Sequence, residues 1–397
     1  MEAEHPRAGW EGRGTRWFRR TQLYTAVFEA DVDLDNYILA GAPYGGAIAL
    51  WRDNSKLQAF RADRPKPAIE IRSLAGKLIR RISWNGGASG DGAQDGLIRG
   101  LGWSGDEELI VVTAAGTVRV YELQGEFRQF SLGHGAETHT VRSVCFWDGG
   151  LVALLGDNTL VAVDGYDEPR PRALAKVALG TVEGHESPLE RTPVVVHAWT
   201  VVPPAQTLSR SVEVLLSVGQ TICVVDAAEC DDKGLNVGPF SHVSVAPDGR
   251  LVALYSATKG RVHVVSADFA DIVDEADMDS HIEPRFVGWC GSSDALVAWE
   301  DEVRVVGDAN VSFIYDCDRV HVVQEPDGAR LITNDSCDFL ERVPPATYDV
   351  FGHADTSSPA SILVDAVGQL EKKSPKADDY IQLIRANLTE AVDTCVS

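Results

Sequence analysis

Leu151-Val152-Ala153-Leu154-Leu155, the turn Gly156-Asp157-Asn158, and then Thr159-Leu160-Val161-Ala162-Val163 hold the key to the fold. A short, continuous apolar run bounded by turn residues reads as a buried strand, and Asp-Asn between two such runs reads as a hairpin. The same arrangement recurs. Leu109–Thr113 leads across Ala-Gly into Thr117–Tyr121, and Leu251–Tyr255 leads across Lys-Gly into Arg261–Val265. The second run of each pair is rich in β-branched residues, which suit a pleated and half-buried surface.

A third strand precedes each pair and ends on an aromatic or small residue. Gly102-Trp103-Ser104-Gly105 stands before residues 109–121, and Cys145-Phe146-Trp147-Asp148 before 151–163. Ser244-Val245-Ala246-Pro247-Asp248-Gly249 stands before 251–265, and Gly288-Trp289-Cys290-Gly291 before 295–306. Val323-Gln324-Glu325-Pro326-Asp327-Gly328 precedes 330–342 in the same way. With Trp103, Trp147, Trp199, Val245 and Trp289 as equivalent anchors, the steps are 44, 52, 46 and 44 residues. A period near 40–45 residues with four strands per unit is that of a β-propeller blade. A further unit fits around Tyr37–Ile71 and another around His321–Val343, which makes seven. A terminal strand, Gln22–Phe28 or Tyr348–Phe351, is expected to complete the last blade. The WD dipeptides of typical propeller repeats are absent.

Beyond Pro345 the apolar period changes from 2 to 3.6. Ser357-Ser358-Pro359 is a helix start, with Ser as N-cap and Pro at the first helical position. Ile362, Leu363, Ala366, Val367 and Leu370 share one face. Ser374-Pro375 repeats the signal before Ala377, Ile381, Ile384, Leu388, Ala391 and Cys395. The expected fold is therefore mainly β, a seven-bladed β-propeller followed by the first helices of an α-solenoid. The propeller is expected over residues 1–350 and two helices joined at Lys372-Lys373 over 351–397. The helical pattern runs uncapped to Ser397 and reads as a solenoid cut short. Segments 85–96, 165–193, 226–238 and 267–285 read as long loops, the last with seven acids and no Lys or Arg before its final residue, Arg285.

Composition narrows the function. The 397 residues carry 36 Lys+Arg against 59 Asp+Glu, a net charge of −23. That balance argues against nucleic acid as a partner, because phosphate neutralisation needs clustered cations. Residues 1–81 nevertheless carry 14 Lys/Arg and only 10 Asp/Glu. Arg16, Arg19 and Arg20, with Arg80 and Arg81, form the one candidate basic binding patch. Met1–Arg20 has no apolar run of the signal-peptide kind. Seven cysteines without a CxxC pair read as buried or incidental thiols of a reducing, cytosolic compartment, where the sequons at Asn310, Asn334 and Asn387 would carry no glycan.

Catalytic patterns fall short at specific positions. Asp31-Val-Asp33-Leu-Asp35-Asn36 opens like an EF-hand loop but has Ala42 where the twelfth-position Glu should stand, so it reads as a turn. Gly86–Gly92 lacks the lysine of a phosphate loop. Gly102-Trp103-Ser104-Gly105 is one residue out of step with a nucleophile elbow. His134, Glu137 and His139 read as surface residues, and His197, His242, His263 and His321 as hydrogen-bonded strand residues. No catalytic, metal or cofactor-binding residue is nominated.

Six blocks carry a more specific likeness: Trp17–Tyr24, Ala42–Leu50 with its Pro43-Tyr44-Gly45-Gly46, Gly102-Trp103-Ser104, Gly116–Tyr121, Trp289-Cys290-Gly291, and Ser374-Pro375-Lys376-Ala377-Asp378-Asp379-Tyr380-Ile381. Together they resemble the family of vacuolar protein sorting subunit sixteen, class C core subunits of the HOPS and CORVET tethering complexes. Ala47 stands where that family often has Pro. The resemblance implies a non-catalytic propeller leading into an α-solenoid, within a tether that joins late endosomal and vacuolar or lysosomal membranes. It implies the other tether subunits as partners, a Sec1/Munc18-like subunit on the solenoid beyond this chain, SNAREs indirectly, and a peripheral place at the membrane. Two rival readings are a propeller enzyme with a channel active site and a propeller that binds lipid through its N-terminal arginines.

Overall fold

The computed structural model describes residues 9–13, 16–26, 28–29, 32–53, 67–84, 96–123, 126–177, 194–280, 282–307, 311–315, 319–344, 347–348, 350 and 358–396. The chain divides into two compact units, residues 22–338 and the two chain ends, 1–21 with 339–397.

Strands β1 (Trp10–Arg13) and β2 (Arg16–Thr25) come first. The first blade is β3 (Tyr37–Gly41), β4 (Ile48–Arg52), β5 (Ala68–Arg72) and β6 (Leu78–Ser83). The second is β7 (Ile98–Trp103), β8 (Leu109–Thr113), β9 (Thr117–Tyr121) and β10 (Phe127–Ser131). After a short helix α1 (His134–His139) come β11 (Val141–Trp147), β12 (Gly150–Leu155), β13 (Leu160–Asp164) and β14 (Arg172–Ala173). The fourth blade is β15 (Val196–Val202), β16 (Glu213–Val218), β17 (Thr221–Val225) and β18 (Cys230–Asp232). The fifth is β19 (His242–Val245), β20 (Leu251–Ser256), β21 (Arg261–Ser266) and β22 (Ile272–Asp277). The sixth is β23 (Phe286–Cys290), β24 (Asp294–Ala298), β25 (Glu302–Val305) and β26 (Val311–Ile314).

Each of these six is an antiparallel meander in chain order. The seventh sheet has the order β1-β2-β29-β28-β27, with β27 (His321–Gln324), β28 (Ala329–Ile332) and β29 (Ser336–Arg342). The N-terminal strand therefore supplies the closing role expected of a terminus, and it starts at Arg16, earlier than the Gln22 expected.

Within residues 22–338 the first strand of each blade touches the first strand of the next, from β3 round to β27, and β27 touches β3. The ring is closed at seven. All five expected anchors lie on these first strands: Trp103 on β7, Trp147 on β11, Trp199 on β15, Val245 on β19 and Trp289 on β23.

The continuous apolar runs follow from this geometry. Successive side chains of a strand face opposite sides of its sheet, and a blade has a neighbour on both sides. In β12, Leu151, Ala153 and Leu155 join the core shared with the second blade, while Val152 and Leu154 join the core shared with the fourth. In β20, Ala253 and Tyr255 pack toward the sixth blade, and Val252 and Leu254 toward the fourth. In β4, Ala49 and Trp51 face the second blade, and Ile48 and Leu50 the seventh. Each fully buried Val, Leu or Ile contributes about 1.5–3 kcal/mol.

Three of the tryptophan anchors have a second job that periodicity does not reveal. Trp103 Nε1 donates to Ala40 O on β3 at 3.0 Å, Trp199 Nε1 to Ser143 Oγ on β11 at 2.8 Å, and Trp289 Nε1 to Ser244 O on β19 at 3.2 Å. Each indole thus fills an apolar interface and ties its blade to the preceding one, a use of its apolar body and polar edge together.

Three of the expected loops contain a blade's outermost strand: β14 within 165–193, β18 within 226–238 and β22 within 267–285. These strands were hidden because they pair on one side only and carry polar residues. Glu275 and Asp277 on β22 meet Arg261 of β21, so part of the acidic run is a paired strand surface. The glycine-rich run 86–92 lies outside the described residues. Asp33 accepts from Asp35 N at 3.1 Å and caps a 3-10 turn at Leu34–Asn36, the turn expected there.

In the unit of the chain ends, Val343 N donates to Trp17 O at 2.7 Å, and Tyr348 stacks on Trp17 with ring centroids 6.4 Å apart. Ser358 caps α2 (Pro359–Glu371) by accepting from Ser361 N, with Pro359 at the first turn, as expected. The second expected helix is two, α3 (Lys376–Ile384) and α4 (Leu388–Val396). Asn387 Nδ2 donates to Glu390 Oε2 at 3.3 Å and Asn387 O accepts from Ala391 N. This Asn-x-x-Glu restart leaves the apolar spacing unbroken, which is why periodicity merged the two.

His263 on β21 is 4% exposed, and neither ring nitrogen has a hydrogen-bond partner. Burial is the main force holding its pKa below the ordinary 6.5; Glu275 opposes this, while Lys259 and Arg261 add to it. Burial lowers His242 in the same direction. The folded chain therefore keeps neutral rings where the unfolded chain takes up protons. The associated stability is complete above about pH 6.5 and is lost as pH falls through the folded pKa. Unfolding free energies from denaturant titrations should fall between about pH 7 and 5.5, by at most about 1.4 kcal/mol per pH unit for each proton, and His263→Leu should flatten the slope. An unchanged slope in that variant would reject His263 as its source.

Candidate binding surfaces of the propeller

Two recesses within residues 22–338 involve the first strands of the blades. The smaller, about 320 Å³, is lined by Arg142, Ser143, His197, Trp199, Ser241 and His242, with apolar neighbours. Arg142 and His197 are the extra residues at register shifts in β11 and β15, and a bulge re-aims the side chain it carries. His242 Nδ1 lies 3.1 Å from Ser241 Oγ. Among the described residues this lining contains no carboxylate or thiol.

The larger recess, about 510 Å³, is built by the loops that join first and second strands in blades one, three, four, five and seven. Tyr44, Trp147, Asp148 and Gln206 line it beside Pro43, Pro203, Pro204, Pro247 and Pro326. Proline fixes φ, so these walls are set before any partner arrives.

A buried ion pair props its floor. Arg330 and Glu325 are 1% and 4% exposed and meet at 2.6 Å. The Glu325 carboxylate also accepts from Tyr44 N at 3.0 Å and Gly45 N at 3.3 Å. Arg330 donates to the carbonyls of Gly46 and Ala42. These contacts hold Tyr44 at φ 57, a conformation rare for an aromatic residue, with its ring 64% exposed. The Tyr44 hydroxyl donates to Asp148 across the recess at 3.4 Å, and the carboxylate pushes its pKa up. Trp147 needs a glycine opposite it: a Cβ on Gly150 would stand 2.3 Å from its ring. Gln206 Nε2 donates to Pro247 O at 2.5 Å, and its buried Oε1 has no partner.

The expected basic residues are distributed between the two units. Arg16, Arg19 and Arg20 lie on β2 in the chain-end unit, where Arg19 Nε donates to Glu341 at 2.8 Å and Arg16 and Arg20 also have partners. In the other unit, Arg81 on β6 meets Glu70 at 2.6 Å and Arg80 donates to Leu123 O at 3.0 Å. The charges of Arg19 and Arg81 are thus each matched by a carboxylate. His134 lies 3.3 Å from Glu137 and His139 3.6 Å from Asp157. Among the described residues no three His, Cys, Asp or Glu gather as metal ligands. Burial raises the Cys145 and Cys223 thiols to about 12. No helix among the described residues is long and apolar enough to cross a membrane. The Tyr44–Asp148 recess escaped sequence reading because its parts come from five separate blades. The Pro-Tyr-Gly-Gly and Pro-Asp-Gly turns were its only trace.

A family model described as "Vps16, N-terminal region" matches residues 6–397. The probable vacuolar protein sorting-associated protein 16 homolog of Schizosaccharomyces pombe is 31% identical over 400 residues, covering 99% of this chain and 45% of that protein. Protein VACUOLELESS1 of Arabidopsis thaliana is 29% identical, covering 98% and 46%. The chain thus spans less than half the length of these curated relatives. Among solved structures, the Cps50 (Swd1) β-propeller domain of Myceliophteria thermophila aligns with TM-score 0.53 at 13% identity, covering 81% of this chain and 99% of that one. The WD40 β-propeller domain of Doa1 aligns with TM-score 0.50, also at 13% identity, covering 81% and 96%. At that identity the likeness concerns the fold alone.

Proposed function

This chain belongs to the Vps16 N-terminal region family, and from that premise we propose that it is the scaffold propeller of a vesicle-tethering subunit acting in endosome-to-vacuole traffic. The family match over residues 6–397 carries the reading. A closed ring with two-sided apolar cores supports it, because such a ring is a rigid platform that offers its loops and outer strands to partners. On this reading residues 1–350 form the platform and residues 351–397 open a helical solenoid. The other subunits of a HOPS- or CORVET-type tether are its partners, and it meets late endosomal and vacuolar membranes through them. The Sec1/Munc18-like subunit docks on the solenoid beyond this chain, and SNAREs are engaged through that subunit. The role is non-catalytic.

Pull-downs against the remaining tether subunits test this, using this chain beside one of the relatives' full length. The longer chain is expected to retain the Sec1/Munc18-like subunit and this chain to lose it. Tight retention by this chain would move that docking site onto the propeller. Failure of the longer chain to associate with any tether subunit would overturn the scaffold reading.

A further inference from the structure

We propose that the recess between Tyr44 and Asp148 is a docking site for an arginine side chain presented by an extended segment of a partner protein. The inference stands on the chemistry of the recess and goes beyond the scaffold reading, which assigns no surface of the propeller to any partner.

The lining calls for a cation. No Lys or Arg contributes to it, and among the described residues no salt bridge to Asp148 is found. Of the two carboxylates in the lining, Glu325 is already matched by Arg330, which leaves Asp148 as the acceptor whose charge the recess does not compensate. The Tyr44 hydroxyl spends its proton on Asp148. A ligand bearing several N–H donors would satisfy what the recess leaves open, and one bearing a carboxylate or phosphate would be repelled.

The same lining favours arginine over lysine. Tyr44 and Trp147 offer aromatic faces and the surrounding prolines offer flat apolar ones, against which a planar guanidinium stacks while its edge donates to a carboxylate. Lysine presents a compact, strongly hydrated charge with no plane to stack. The site is also built in advance. Tyr44 is pinned through its own backbone by the buried Glu325–Arg330 pair, and the 203–211 loop is braced by Gln206 on Pro247 and by Thr207 Oγ1 on Ser211 O at 2.7 Å. Preorganised walls spare the ordering cost of binding. Leu208, at the tip of that loop, is fully exposed and stands ready for an apolar residue of the bound segment.

The test uses the whole chain and three probes: acetyl-Ala-Ala-Arg-Ala-Ala-amide, its citrulline counterpart and its lysine counterpart, titrated by tryptophan fluorescence and by NMR. Citrulline keeps the shape and loses the charge. The arginine peptide is expected to bind saturably, at least about tenfold more tightly than the citrulline peptide and more tightly than the lysine peptide, as charge-assisted hydrogen bonds imply. Asp148→Asn, a change of charge at constant shape, should weaken arginine binding by about tenfold or more. Asp106→Asn, in the corresponding turn of the second blade, which supplies no lining residue, should leave it unchanged, with circular dichroism verifying the fold of both. Equal binding of arginine and citrulline, equal loss in both variants, or no saturable binding at millimolar peptide would each overturn the proposal.

Discussion

Arg330→Ala should destabilise the protein by about 3–5 kcal/mol, read as a fall in the denaturant midpoint. Arg330 is 1% exposed and compensates Glu325, which is 4% exposed. Its removal leaves a carboxylate buried without its cation and strips the carbonyls of Ala42 and Gly46 of a donor. The two residues lie on the seventh blade and reach the first, at the contact of β27 with β3 that closes the ring. The loss should therefore disturb closure as well as local packing. Because truncating one partner of a buried pair costs more than replacing both, the double variant Glu325→Gln with Arg330→Met should recover part of the loss. A midpoint unchanged in Arg330→Ala would mean that water reaches Glu325 and that the pair is not buried in solution. Since Glu325 also holds the backbone of Tyr44, the single variant should loosen the recess and weaken the arginine peptide in the assay above.

Trp289→Ala is the second large effect, again about 3–5 kcal/mol. Trp289 is fully buried in the core between the fifth and sixth blades, and its indole donates to Ser244 O on β19. Alanine removes the packing, leaves a cavity between two sheets that converge on the ring, and orphans the donor's partner. Trp289→Phe keeps most of the apolar area and loses only the hydrogen bond, so it should cost roughly 1–2 kcal/mol. Similar losses in both variants would show that the bond, and not the packing, holds this interface.

The anchors illustrate how much of the fold was written in the chain. Trp103, Trp147, Trp199, Val245 and Trp289 were found by spacing alone, and each falls on a first strand. A buried strand must be apolar on both faces, so β8, β12 and β20 announce themselves. The outermost strands β14, β18 and β22 do not, because one edge and much of one face meet water and nothing selects for apolar residues there. The helix restart at Asn387 was missed for the opposite reason: the apolar face continues across the break, and only the cap marks it.

The basic residues make a similar contrast at the level of function. Arg19 and Arg81 stand out in sequence because their neighbours are also arginines. Their carboxylate partners, Glu341 and Glu70, are 322 and 11 positions away, beyond any local charge pattern.

By itself, the sequence determined the repeat, its count, the class of each middle strand and the change to helix after Pro345. Those are local or periodic properties, set by which faces of a strand or helix must be apolar. Tertiary structure alone decided which terminus completes the seventh sheet, which blade each indole clasps, and that Tyr44, Asp148 and Gln206 share one recess. Closing a ring brings together residues from different blades, such as Tyr44 and Glu325, 281 positions apart along the chain. Such juxtapositions depend on the radius and stagger of the whole assembly, which no single stretch of sequence encodes.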